Sequence, residues 1–246
     1  MKITILASGS KGNSTLIETK DKNILIDAGL PLSNLEKRIN KSLPKIDILI
    51  VTHTHSDHIK GINSIIKKHK PLIYTIEHNL NEKIPNYEDI RYEKEIIEEN
   101  VNISLIELSH DVPCLGIILK ENEKELVYIT DTGYIKEKYL KKYQNKDVYI
   151  IESNYEEEML MNGSYPFHLK QRIRSDKGHL SNNDTCRYLK KLIGNNTKYI
   201  CMAHLSEENN NPEIVLEKVT STIEKLENNI KEVIICSQEE AKELEI

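Results

Sequence analysis

The chain lacks the features that mark several protein classes. Its 246 residues contain no apolar run that approaches the length of a membrane-spanning helix. The apolar stretch after Met1 breaks at Ser8-Gly9-Ser10, and it is too short for the core of a signal peptide. The sequence has neither a G-x-G-x-x-G motif nor a P-loop, so nothing in it indicates a nicotinamide or ATP site. We therefore expect a cytoplasmic protein that does not act at a membrane.

Cysteine is also scarce. The four cysteines are scattered without C-x-x-C spacing and stand mostly in apolar surroundings, which favours buried free thiols over disulfides. They are Cys114, Cys186, Cys201 and Cys236.

The composition is that of a globular protein, with 38% hydrophobic and 30% charged residues. No repeat, low-complexity segment or Pro/Gly-rich linker marks a domain boundary, so we expect residues 1–246 to form one domain. The net charge of −5 gives no general attraction for nucleic acid. Any nucleic-acid binding must therefore depend on a local basic patch.

One short stretch carries four potential metal ligands. The apolar run that ends at Val51 predicts a buried strand, and Thr-His-Thr-His-Ser-Asp-His follows it at residues 52–58. Imidazole and carboxylate are the ligands that zinc, manganese or iron binds, and the absence of cysteine argues against a purely structural zinc site. Isoleucines at helical spacing from Ile59 to Ile66 place His58 at a helix N-terminus, which would favour its neutral, metal-binding form.

Three more candidates follow predicted strands in the same way. His110 comes after the strand 101–108, Asp131 after 126–130 and His204 after 199–203. Asp27 ends an early strand, where it can cap a turn or orient a ligand histidine from behind.

Seven residues therefore form the candidate ligand set. Divided by motif, they can hold two divalent ions of zinc, manganese or iron: His53, His55 and His110 for the first, Asp57, His58 and His204 for the second, and Asp131 between them. Two such ions with water in their open positions favour hydrolysis. Nothing in the set indicates redox chemistry.

A basic segment precedes a further histidine. Lys170, Arg172, Arg174 and Lys177 form a positive patch of a size suited to phosphate, although a charged helix face is usually only solvated. His179 follows, just before a helix that Ser181 and Asp184 are predicted to cap.

These motifs, in this order, resemble the metallo-β-lactamase-fold hydrolases over nearly the whole chain. The resemblance implies an α/β (α+β) fold, a four-layer αββα sandwich with the metals at one edge between two sheets. The segments SGSKGNS at 8–14, GHLSN at 178–182 and AHLSEENN at 203–210 are similar to the YycJ/WalJ subgroup, whose members are linked to DNA exonuclease activity. GHLS followed by AHLS is also similar to the paired motifs of tRNase Z. The chain departs from the subgroup at Tyr155-Glu156, where we expect His-Asp.

The resemblance implies a phosphodiesterase or nuclease in which a metal-bound hydroxide attacks phosphorus. Asp57 is then a catalytic residue as well as a ligand, and His179 is the candidate general acid. Substrate phosphates would contact the basic segment and the first loop. The residues concerned are Ser10, Asn13, Ser14, Lys170, Arg172, Arg174 and Lys177. DNA is favoured over RNA as the substrate, and protein partners cannot be inferred.

Three alternatives remain open at this point. A hydrolase of the same fold can act instead on a cyclic nucleotide, thioester or lactone. An amidohydrolase-like barrel also uses His-x-His after its first strand, but the strand-rich segment before His53 and the extra Asp57-His58 argue against it. A non-catalytic metal-binding module would lack some ligands, whereas all seven positions are filled here.

Overall fold

The strands form two sheets of seven. The computed structural model describes residues 1–246 except 77, 79, 99 and 227, and all statements on the fold concern those residues. The strands of the first sheet are β1 (Lys2–Ala7), β2 (Ser14–Glu18), β3 (Asn23–Ile26), β4 (Ile48–Ile50), β5 (Leu72–Tyr74), β6 (Ile90–Arg91) and β14 (Lys242–Glu245). They lie in the order β14-β1-β2-β3-β4-β5-β6. The first three are antiparallel, and β3, β4 and β5 are parallel.

The second sheet lies in the order β13-β12-β11-β10-β9-β8-β7. Its strands are β7 (Glu95–Glu98), β8 (Val101–Glu107), β9 (Leu115–Glu121), β10 (Lys124–Ile129), β11 (Val148–Glu152), β12 (Tyr199–Ala203) and β13 (Glu232–Ile235). The strands from β10 to β13 are parallel. Their carboxyl ends therefore meet at one edge of the sheet.

The central strands are apolar on both faces because both faces are buried. In β4, Ile48 and Ile50 point into the core between the two sheets, and Leu49 points the other way with Val51, which follows the strand. This alternation is the two-residue period of a strand. It explains why the sequence before residue 52 reads as a continuous apolar run rather than as an alternating one.

Helices cover the outer faces of both sheets. They are α1 (Leu32–Ile39), α2 (Ser56–Ile59), α3 (Ile62–His69), α4 (Leu80–Lys83), α5 (Glu137–Tyr143), α6 (Glu157–Asn162), α7 (Phe167–Ile173), α8 (Asn182–Leu192) and α9 (Pro212–Ile223). Leu35 of α1 and Ile65 of α3 pack on the first sheet, whereas Leu189 of α8 and Val219 of α9 pack on the second. The four-layer αββα sandwich that the sequence predicts is therefore confirmed.

One local prediction is corrected by the structure. The helix expected from Ile59 to Ile66 is broken at Gly61 into α2 and α3, because the N–H of Gly61 donates to the carbonyl of Ala28 instead of to a helical carbonyl. Near the C-terminus, β14 pairs with β1. The four cysteines are buried and free, as predicted.

Candidate metal centre

The candidate ligands lie where the carboxyl ends of parallel strands from both sheets meet. Asp27 directly follows β3, His204 directly follows β12, and Asp131 comes two residues after β10. All three have positive φ angles, of 59°, 55° and 60° respectively. Left-handed backbone is uncommon for residues other than glycine and concentrates at functional sites. At each strand end, the chain turns sharply and directs a polar side chain into the space between the sheets.

One group of three histidines can hold a cation. Ligand nitrogens of His53, His55 and His110 lie within 4.8 Å of one another. Burial lowers the pKa of His53 well below its ordinary value, and neighbouring imidazoles add to this effect. Burial also lowers the pKa of His110. Both imidazoles are therefore neutral near pH 7, which is the form that binds metal.

A second group contains Asp57, His58 and His204, whose ligand atoms also lie within 4.8 Å of one another. Asp131 lies close to two members of this group, with Oδ2 3.4 Å from Nε2 of His58 and Oδ1 3.4 Å from Nε2 of His204. Asp131 also forms a possible ligand group with His53 and His58. Its carboxylate thus lies close to members of both groups of candidate ligands.

The unpartnered atoms of the cluster fit a cation. Nε2 of His53, Oδ2 of Asp131 and Nε2 of His204 are buried and form no hydrogen bond within the described residues. Buried polar atoms in proteins are nearly always paired. Imidazole nitrogen and carboxylate oxygen are suitable ligands for zinc, manganese or iron. Both the unpartnered atoms and the donor types therefore match a site for divalent metal.

Neighbouring carboxylates dominate the electrostatics around His58. His58 is the third residue of α2. Burial alone would lower its pKa, but the carboxylates of Asp27 and Asp131 raise the pKa of His58 to about 10. The two buried carboxylates therefore outweigh the weak field of a four-residue helix. A cation at Nε2 competes with this proton.

Asp57 is charged in the same environment. Burial would raise its pKa, but the neighbouring imidazoles of His204 and His58 hold the pKa of Asp57 well below its ordinary value. Nδ2 of Asn13 also lies 3.1 Å from Oδ2 of Asp57. Its carboxylate is therefore available as an anionic ligand at neutral pH.

Glu152, the last residue of β11, joins His179 to the cluster. One carboxylate oxygen, Oε1, lies 2.6 Å from Nδ1 of His179 and 3.1 Å from Nδ1 of His204. The other, Oε2, accepts hydrogen bonds from the backbone N–H groups of Thr132 and Leu180. Burial would raise the pKa of Glu152, but the two histidines hold it well below the ordinary value. Glu152 is thus a buried anion that orients two imidazoles.

The residues behind the cluster fix the orientation of the ligands. Oδ2 of Asp27 lies 2.7 Å from Nδ1 of His58, and Oδ1 accepts the backbone N–H of Thr52. Nδ2 of Asn154 donates to the backbone carbonyl of His204 at 2.8 Å. Of these supporting residues, the sequence analysis identified only Asp27. Glu152 ends β11 and Asn154 follows it, at the same edge of the sheet as the candidate ligands. Their positions at a strand end are the sequence signal that could have identified both residues.

His179 reaches the cluster because of the turn before α8. Ser181 caps α8 by accepting the backbone N–H of Asp184 at 3.1 Å, so the predicted cap is confirmed. Gly178 lies against the end of α7, where a Cβ would meet the carbonyl oxygen of Ile173 at 2.1 Å. This close packing places the His179 side chain in the wall of a cavity of about 250 Å³ that also contains metal-ligand candidates.

The predicted substrate-contacting residues separate into two groups. Ser10, Arg172 and Lys177 line the cavity, and the Arg172 guanidinium pairs with the carboxylate of Asp111. The remaining four residues of the predicted set do not line it. Asn13 and Ser14 are buried, Nζ of Lys170 donates to the carbonyls of Met161 and Gly163, and Nη1 of Arg174 lies 3.4 Å from the Met161 sulfur.

Asn13 and Ser14 instead hold the loop that they belong to. The Asn13 amide bonds to both the N–H and the carbonyl of Gly9, and it also contacts His58 Nε2 at 3.0 Å. The hydroxyl of Ser14 donates to the carbonyl of Asp27. Their polar groups therefore support the loop and the candidate ligands and do not line the cavity.

Within the described residues, no helix has both the length and the apolar character needed to cross a membrane.

Comparison with known proteins identifies the class of the chain. Residues 22–204 match the beta-lactamase superfamily domain, and the chain belongs to this superfamily. It is 38% identical over 233 residues to the exodeoxyribonuclease WalJ of Streptococcus pneumoniae, covering 87% of this chain and 84% of that protein. It is 31% identical over 236 residues to the exodeoxyribonuclease YycJ of Bacillus anthracis, with 91% and 89% covered.

A solved structure supports the same fold. The metallo-beta-lactamase fold protein YhfI from Bacillus subtilis matches with a TM-score of 0.75 and 17% identity, over 99% of both chains. Because the identity is low, this likeness concerns the fold and not the substrate. The resemblance stated from the sequence motifs is therefore confirmed by both kinds of comparison.

Proposed function

We propose that this protein is a metal-dependent phosphodiesterase that degrades DNA as an exonuclease. The observation that carries the proposal is the contact of 2.6 Å between His179 and Glu152 beside the ligand cluster. Through this contact, Glu152 would hold the imidazole of His179 as a general acid beside the two candidate cation sites. A general acid and bound divalent cations are what phosphodiester hydrolysis requires. The similarity to exodeoxyribonucleases over about nine-tenths of the chain favours DNA as the substrate.

Two divalent cations fit the cluster as the sequence analysis divided it. His53, His55 and His110 would hold one, and Asp57, His58 and His204 the other, with Asp131 between them. When bound, such cations supply Lewis acidity that activates water and neutralises the charge developing on a phosphoryl group. Zinc, manganese and iron all suit this donor set.

His179 would protonate the leaving oxygen. Its Nδ1 is held by Glu152, so Nε2 is the nitrogen that remains for a substrate in the cavity. A buried anion behind an imidazole fixes its tautomer. Arg172 and Lys177, which line the same cavity, would contact the phosphates of the substrate. We also propose that residues 1–246 act as one domain, because both sheets contribute ligands.

The test combines metal analysis with nuclease assays. The wild-type protein and His179→Ala are loaded with manganese or zinc, their metal content is measured by mass spectrometry, and they are incubated with end-labelled linear DNA and closed circular DNA. We expect equal metal content, degradation of linear DNA only, and a turnover number about 10²- to 10⁴-fold lower for the variant.

Three outcomes would contradict the proposal. If the His179→Ala variant binds metal and keeps full activity, His179 is not the general acid. Cleavage of closed circles shows an endonuclease instead. If neither DNA nor RNA is cut but a cyclic nucleotide, thioester or lactone is hydrolysed, the protein is a hydrolase of the same fold for small substrates.

A further inference from the structure

A second cavity adjoins the metal centre. It has a volume of about 440 Å³, and its walls include Thr54, His55, Ser56, Lys60, Asn63 and Lys83. We refer to it as the α2 groove. His55 lines both this groove and the catalytic cavity, so one candidate metal ligand borders both spaces.

Among the described residues, the side chains that line the α2 groove carry positive charge and no negative charge. Lys60 and Lys83 are exposed, and the ammonium groups form no ion pair or hydrogen bond within the described part of the chain. The other lining side chains are hydroxyl, amide, imidazole and apolar groups. Ser56 and Asn63 add polar groups that can hydrogen-bond to phosphate oxygens.

This charge pattern differs from that of two other surface cavities. The cavity beside α1 contains Lys37 and Arg38, but Glu239 and Glu240 line it as well. The cavity behind the His204 loop contains Lys242 together with Glu207 and Glu239. On a chain with a net charge of −5, two free lysines facing one groove beside the metal centre make it a favourable path for a polyanion.

The catalytic cavity has a different character. At about 250 Å³ it is smaller, and α7 contributes the apolar side chains of Leu169 and Ile173 beside Arg172. Tyr165 also lines it and offers an aromatic face to a base. An end of a strand fits this enclosed space better than a continuing polymer does.

We infer that the terminal nucleotide of the substrate strand occupies the cavity under α7, while the rest of the strand passes His55 and runs along the α2 groove over Lys60 and Lys83. This inference rests on the proposed nuclease function. It assigns the α2 groove as a binding surface for the backbone of single-stranded DNA. Contacts of this kind set affinity without reading base sequence.

The test compares two double variants with equal loss of charge. Lys60→Gln with Lys83→Gln removes the two groove lysines, and Lys41→Gln with Lys67→Gln removes two exposed lysines that do not line the groove. Binding of a labelled single-stranded oligonucleotide is measured by fluorescence anisotropy at several salt concentrations, in a His179→Ala background that limits cleavage. Hydrolysis of bis(4-nitrophenyl) phosphate is measured in the otherwise wild-type background.

We expect the groove variant to bind DNA about tenfold more weakly than the parent protein. The slope of its log affinity against log salt concentration should be smaller by about 1.4, because each of the two lost phosphate contacts removes about 0.7 from the slope. Hydrolysis of the small diester should not change, because this substrate does not reach the groove. The control variant should bind like the parent protein. Equal binding by both variants, or equal weakening, would overturn the inference.

The two proposals fail in different ways. If the wild-type protein cleaves neither DNA nor the small diester, the proposed function fails, while the anisotropy comparison still tests the groove. If DNA is degraded normally by the groove variant with unchanged affinity, only the strand path is wrong.

Discussion

Asp27 and His58 form a buried pair, with Oδ2 of the aspartate 2.7 Å from Nδ1 of the histidine. Both side chains are fully buried. The contact uses one imidazole nitrogen and leaves Nε2 to face Asp57 and Asp131 at 3.4 Å. A residue at the end of β3 therefore sets the direction of a ligand that belongs to α2. This is the usual way in which a carboxylate behind a histidine fixes its tautomer for metal binding.

The first prediction concerns this pair. Asp27→Asn keeps the side-chain volume but replaces one carboxylate oxygen with an amide donor, so the acceptor for His58 is weakened. We expect the affinity of the second cation to fall about 10- to 100-fold. The affinity of the second cation is measured by competition with a chromophoric chelator. Asp147→Asn is the matched control, because Asp147 is buried and bonded to Glu125 and Lys198 but not to the cluster. Equal affinities in all three proteins would contradict the prediction.

The second prediction concerns metal removal. Among the described residues, Nε2 of His53, Oδ2 of Asp131 and Nε2 of His204 have no hydrogen-bond partner, and unpaired buried polar groups are destabilising. We expect a chelator to lower the free energy of unfolding, by about 4 kcal/mol if the free metal had been present at roughly a thousand times its dissociation constant. The free energy of unfolding is measured by calorimetry before chelation, after chelation and after metal is restored. His53→Ala should respond less, and an unchanged midpoint in the wild-type protein would count against a metal site.

The sequence predicted which strand ends carry polar side chains, because each of these residues follows a regular element. His53, Asp131 and His204 follow apolar strands, and the carboxyl ends of parallel strands must meet at one edge. The four-layer fold followed from the same motifs through their resemblance to a known superfamily. Local periodicity and spacing carry this information directly.

Side-chain partners were harder to predict, because they depend on how loops pack. Lys170 and Arg172 belong to one basic segment, yet Lys170 turns to the carbonyls at the end of α6 and Arg172 turns to Asp111. Asn13 was expected to face substrate and is buried instead. The strand-end position of Glu152 could have placed it at the site, but it does not reveal which two distant histidines its carboxylate contacts.

The third prediction concerns Glu152. Glu152→Gln keeps the hydrogen bonds that one oxygen accepts but weakens the acceptor shared by His179 and His204. We expect the turnover number for DNA to fall about 10- to 100-fold. Glu121→Gln is the matched control, since Glu121 is a buried carboxylate that accepts the backbone N–H of Lys20 away from the site. Wild-type activity in Glu152→Gln would show that the contact does not serve catalysis.

Three segments of the site are joined by backbone contacts around Gly29. The N–H of Asn13 donates to the carbonyl of Asp57 at 2.7 Å, and the N–H of Gly29 donates to the carbonyl of Asn13 at 2.9 Å. A Cβ at Gly29 would lie 1.9 Å from the Asp57 carbonyl oxygen and 2.3 Å from the Asn13 nitrogen. These are backbone atoms, so they cannot give way by a change of rotamer.

The fourth prediction follows from this packing. Gly29→Ala must push Asp57 away from His58 and His204, so we expect both a loss of about 1–3 kcal/mol in the free energy of unfolding and weaker binding of the second cation. Chemical denaturation and metal titration measure the two effects. Gly116→Ala is the control, because the atoms nearest to its added Cβ belong to the side chains of Leu108 and Tyr143, at 3.0 Å or more. If Gly29→Ala loses stability but binds metal normally, the backbone contacts around Gly29 support the fold alone and do not set the position of Asp57.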